Sequence, residues 1–143
     1  ERGRALDGLP EGANWRENKA KLEEIGEKCQ KSYRVSGTSN NVTFTGEICS
    51  LDKPFVINGK FGNGSETQTF TPSSSTGGTV QEAGNSGGCT QSGGGTYKVA
   101  LNEQGSGTLE FTETVTGVCM GFSNTRTVTF KVSLEPASGL SCP

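Results

Sequence analysis

From Tyr33 to Leu134 the apolar side chains recur at every second position, and turn residues interrupt them every few residues. Val42, Phe44 and Ile48 alternate with Thr43, Thr45 and Glu47. Phe55 and Ile57, Phe70, then Tyr97, Val99 and Leu101 continue the pattern. Leu109, Phe111 and Val115 mark a long strand, and Val128, Phe130, Val132 and Leu134 mark the last. A period of two puts one apolar and one polar face on each strand, as an antiparallel sheet with one buried face requires. Asn58-Gly59 and Asn63-Gly64 are turn-forming pairs, residues 105–107 suit a hairpin, and Pro136 ends the last run.

A sheet that is apolar on one face must cover it. The short, unevenly spaced strands predict an antiparallel β-sandwich of seven to eight strands, with a small β-barrel as the alternative. The expected organisation is a single secreted β domain over residues 1–143, with a β core at about 32–136. Residues 14–30 have a different period. Asn14 and Glu17 form a capping box, and Trp15, Leu22, Ile25 and Cys29 share a stripe at helical spacing. One N-terminal α-helix is expected there, with Trp15 sealing the β core.

Hydrophobic residues make up only 29% of the chain, and half of the charged residues lie in the first 31 positions. The remaining surface must be neutral and polar. Net charge is −2, and no basic stripe or arginine cluster is present. Nucleic acid is excluded as a partner, and no segment is apolar for long enough to insert in a membrane. The chain begins at Glu1 without an initiator methionine, which is read as processing after removal of a secretion signal.

Five cysteines, Cys29, Cys49, Cys89, Cys119 and Cys142, are widely spaced, with no Cys-x-x-Cys pair and no histidine to complete a zinc site. This favours disulfides in a secreted, extracellular protein. The expected bridges are Cys29–Cys49 and Cys89–Cys119, leaving Cys142 spare or intermolecular, so the chain is a monomer or a disulfide-linked oligomer. Asn41-Val42-Thr43 and Asn63-Gly64-Ser65 are glycan acceptor triplets, making Asn41 and Asn63 glycosylation candidates.

No histidine means no Ser-His or zinc-water chemistry of the usual kind. Glycoside hydrolysis needs only two carboxylates. Glu47 and Glu110 point outward by their neighbours, whereas Glu113 shares the face of Leu109, Phe111 and Val115. It is placed near the exposed end of its strand rather than in a catalytic cavity. No Asp-rich loop offers a calcium site. The reading is therefore no enzyme, no metal and no cofactor.

Residues 76–95 hold eight glycines and few apolar side chains. They are expected to form a long loop, or a short edge strand between loops. Without a following GKS or GKT the glycines are not a phosphate cradle. Asn85, Thr90 and Gln91 are the candidate binding residues of this loop. By exclusion, the leading function is a non-catalytic protein-recognition domain, such as a virulence effector or adhesin module, with a host or surface protein as partner. A carrier of small apolar ligands with a barrel cavity is the first alternative. A structural protein of a cell wall or envelope is the second.

Overall fold

The computed structural model describes residues 32–138 and residue 140. They form eight strands: β1 (Ser32–Ser39), β2 (Val42–Ile48), β3 (Phe55–Phe61), β4 (Gly64–Ser74), β5 (Gly77–Ser86), β6 (Cys89–Leu101), β7 (Gly107–Cys119) and β8 (Phe122–Ala137). Each strand pairs antiparallel with the next, and β8 returns to pair with β1, from Ser32 opposite Ala137 to Ser36 opposite Ser133. The expected sandwich is therefore wrong. One sheet covers its own apolar face by closing into an up-and-down barrel. Among the described residues there is no helix; the helix expected at 14–30, with Trp15, Cys29 and the spare Cys142, lies outside them.

Closure sorts the side chains. Eight strands enclose a lumen that side chains fill, or that holds one small ligand. The half of the lumen nearer Ser32 and Ala137 is filled by rings. Phe55 stacks on Phe70 at 4.8 Å, and Phe70 meets Tyr97 and Phe111 edge-on at 5.0 and 5.2 Å. Phe111 and Phe44 in turn contact Phe130, at 5.1 and 5.0 Å. Ile48, Ile57, Leu109 and Leu134 complete this packed core. Leu101, expected on the inner face, is exposed at the end of β6.

At the opposite end all four connections are two-residue turns. Asn40 and Asn41 both have positive φ, as do Met120 and Gly121, the requirement of a type I′ hairpin. The expected candidate Asn41 thus sits exposed in one turn, and Asn63 is exposed in the turn between β3 and β4. The Asn58-Gly59 pair, expected to turn, instead lies within β3. Residues 76–95, expected as a loop, supply most of β5 and β6, which pair over ten positions from Gly77 opposite Lys98 to Ser86 opposite Cys89. Their polar and glycine-rich inner face hid the alternation.

Cys89 and Cys119 stand opposite each other in the β6–β7 ladder and form a disulfide, with Cα atoms 4.4 Å apart. That is the spacing of a non-hydrogen-bonded antiparallel pair. Cys49 is also disulfide-bonded, while its expected partner Cys29 lies outside the described residues. On the outer face, Thr112, Thr114 and Thr116 pair with Thr129, Thr127 and Thr125, hydroxyl to hydroxyl at 2.9 to 3.3 Å.

Phe111 touches Phe44, Phe70 and Phe130, so its ring joins the two sides of the core. Phe111→Ala is expected to destabilise the barrel by about 3–5 kcal/mol in urea unfolding. Replacing Cys89 and Cys119 together by serine is expected to cost about 3–4 kcal/mol, from the loop entropy released in the unfolded chain.

Candidate functional site

The turn-side half of the lumen is polar. On β4 the inward positions read Gly64, Glu66, Gln68 and Phe70, so the alternation runs from the aromatic core straight into a carboxylate. β5 continues Val80 with Glu82, and β7 continues Phe111 with Glu113. Glu66, Glu82 and Glu113 are all buried, and one oxygen from each lies within 4.8 Å of the others.

The register makes room for them. Glu66 stands between Gly59 on β3 and Gly84 on β5. Glu82 faces Gly93 on β6, and Glu113 faces Gly95. A Cβ at Gly59 would come within 2.9 Å of the Glu66 side chain, and a Cβ at Gly84 would meet it at the same distance. Each inward carboxylate therefore has at least one glycine beside it in the ladder.

Two glutamine amides stitch two of the acids together. The Gln68 Nε2 donates to Glu66 Oε2, and to Glu82 Oε1 at 2.8 Å. The Gln91 Nε2 donates to Glu66 Oε1 at 3.3 Å and to Glu82 Oε2. Both oxygens of Glu66 and both of Glu82 are thus satisfied. Both oxygens of Glu113 and the Oε1 of Gln68 are buried without a partner. No cation among the described residues balances the cluster: the ion pairs are Arg34–Glu47 and Lys98–Glu110, between side chains outside the lumen.

Burying carboxylates without a countercharge favours their protonated forms. Burial, with the Glu82 charge second, pushes Glu66 up to about 7. Burial, with the neighbouring Glu82 carboxyl second, pushes Glu113 up to about 9. At neutral pH the site stores protons that a bound cation would displace.

Beside the cluster, on the inner face where β6, β7 and β8 run past the rest of the barrel, lies an open cleft of about 280 Å³. The Cys89–Cys119 disulfide, Val115, Gly117, Phe122 and Arg126 line it, and Gln91 belongs both to its wall and to the acid cluster. Phe122 at its rim is 80% exposed, and Met120 at the hairpin tip is 91% exposed.

Of the expected binding residues, Gln91 points inward into this site. Asn85 and Thr90 face each other in the ladder and are exposed; Thr90 lines the edge of the cleft, and Asn85 does not. Glu113, expected near an exposed strand end, is instead fully buried in the middle of β7. Glu66, Glu82 and Gln68 were missed. Counting in twos from Phe70 and Val80 would have found all three. The expectation of no metal site weighed local loops, and missed a carboxylate group that three strands assemble. Glu47 and Glu110 point outward as their neighbours imply.

Comparison with known protein families, curated proteins and solved structures returns no match for this chain. Among the described residues no helix is long and apolar enough to cross a membrane. The site must be read from its own geometry.

The two raised carboxyls bind protons more tightly in the folded protein than in the unfolded chain. Their stabilising contribution is complete below the ordinary value of 4.5, and is lost as pH rises through about 7 for Glu66 and about 9 for Glu113. The urea midpoint is expected to fall between pH 5 and pH 9. Glu113→Gln, which copies the neutral acid, is expected to flatten the upper part of that fall. An unchanged pH profile in this variant would remove Glu113 as its source.

Proposed function

We propose that this barrel is a small-ligand-binding protein, a carrier whose ligand enters at the turn end and rests in the cleft formed by β6, β7 and β8. The observation that carries the reading is the cleft itself. It is concave, walled by Val115, Phe122 and a disulfide, and floored by Gln91. Ligand sites combine an apolar wall with a few placed polar groups in this way. The packed rings of the other half leave the ligand this end of the lumen, so the apolar-cavity alternative is modified rather than adopted whole. The exposed Phe122 gains a partner when a ligand covers the cleft. The Cys89–Cys119 disulfide supports an oxidising, extracellular setting for such a carrier.

Gly117 supplies the test. A Cβ there meets only the Thr90 carbonyl, at 3.9 Å, so a side chain can stand in the cleft without disturbing the backbone. A six-carbon alcohol such as 1-hexanol is expected to shift the NMR signals of Val115 and Phe122 in the parent protein. Gly117→Leu is expected to keep the fold and lose that binding. Shifts that persist in Gly117→Leu would place the ligand elsewhere.

A further inference from the structure

The ligand-binding reading leaves the acid cluster without a task, yet cluster and cleft meet at Gln91. The inventory of hydrogen-bond groups narrows what completes the site. Each oxygen of Glu66 and Glu82 already accepts an amide N–H group of Gln68 or Gln91. Within the cluster, what remains buried and unpartnered is Gln68 Oε1 and both oxygens of Glu113, three acceptor atoms once Glu113 gives up its proton. Gln68 lies beside Glu113 as well as between the other two acids. Buried acceptors left open are costly, and native proteins rarely tolerate them without a partner.

A donor with three N–H groups and a positive charge satisfies this set. A bare metal ion fits less well, because the oxygens of Glu66 and Glu82 are turned toward amide hydrogens. An anion would meet carboxylates on β4, β5 and β7. We propose that the acid cluster seats a primary ammonium group, so that the ligand of this barrel is a small alkyl- or arylamine whose apolar body lies in the cleft. This rests on the ligand-binding reading, and names its substrate class. The ammonium enters past Gln91, whose amide already donates to Glu66 and Glu82 as an N–H group of the ligand would. Charge-assisted hydrogen bonds of this kind are roughly twice as strong as neutral ones.

The groups facing the bound ammonium are Glu66 and Gln68 from β4, Glu82 from β5, Gln91 from β6 and Glu113 from β7. Arg126 of β8 also lines the cleft, and it is exposed, so water screens its charge. Seating the ammonium releases protons from the acids, so amine affinity rises with pH until the amine itself loses its charge near about 10.

The test compares hexylamine, 1-hexanol, hexanoate and calcium ion by calorimetry on the full chain between pH 6 and pH 9. Hexylamine is expected to bind about tenfold or more tighter than 1-hexanol at pH 8, with proton release and an affinity that climbs with pH. Glu113→Gln is expected to remove that advantage, with the fold of the variant shown by its urea transition. Glu82→Gln serves as a second variant with the same expectation. If 1-hexanol binds as tightly as hexylamine, or if the ratio survives both variants, the ammonium assignment fails and the carrier reading stands. Calcium binding without amine binding likewise overturns the assignment, in favour of a metal. If none of the three six-carbon probes binds, the carrier reading fails and takes the assignment with it, and hexanoate binding more tightly than hexylamine overturns the assignment alone.

Discussion

The ladder between β1 and β8 is the constraint on which everything else depends. Without it the chain is an open meander with two bare edges and one apolar face in water. With it, every strand has two partners and the inner face becomes a lumen. Closure removes the edges that invite association. It also fixes which side chains share an interior. Phe44 of β2 meets Phe130 of β8 only because the sheet has come round on itself.

The lumen is then divided along its length. One half follows the ordinary logic of a core, with rings in edge-on and stacked contact. The other half departs from it. Three acids and two amides occupy positions that would hold Val or Leu if stability alone were served. Carboxylates placed here without a countercharge cost stability. The glycines beside them show that the departure is structural throughout: Gly59, Gly84, Gly93 and Gly95 each stand next to an inward acid in the ladder. Such a concentration of local conflict is where function is to be sought.

Much of the fold was legible in the sequence, strand by strand. Val42, Phe44 and Ile48, or Phe130, Val132 and Leu134, announce their inner faces by period alone, and the structure buries all of them. The architecture was not legible, because a sandwich and a barrel place the same residues inward and differ in one non-local pairing. Residues 76–95 were misread because the signal relies on apolar side chains, and here Val80 is followed at the inward positions by Glu82, Gly84, Cys89, Gln91, Gly93 and Gly95. Asn58-Gly59 looked like a turn because glycine next to asparagine usually is one. Its reason lies across the ladder, in Glu66, which only the strand pairing sets opposite Gly59. Gln91 was singled out as a loop residue and proves to be a lumen residue. Asn85, chosen on the same grounds, is on the outside, and Thr90 is exposed at the edge of the cleft.

The glycine row has a mechanical consequence. Glycine has the greatest backbone freedom to lose on folding and offers no side chain to hold a neighbouring strand. β5 and β6 carry Gly84, Gly93, Gly94 and Gly95 side by side with their partners, whereas β7 and β8 are laced by paired threonines. The wall of the barrel is thus stiff on one side and soft on the other. The soft side is the one that holds Glu82 and Gln91. Local opening at the turn-side end of this strand pair, the kind that amide hydrogen exchange detects, would expose Glu82 and Gln91 to solvent while Tyr97, at its other end, keeps its place among the rings. The barrel has a built-in seam, and it runs past the site.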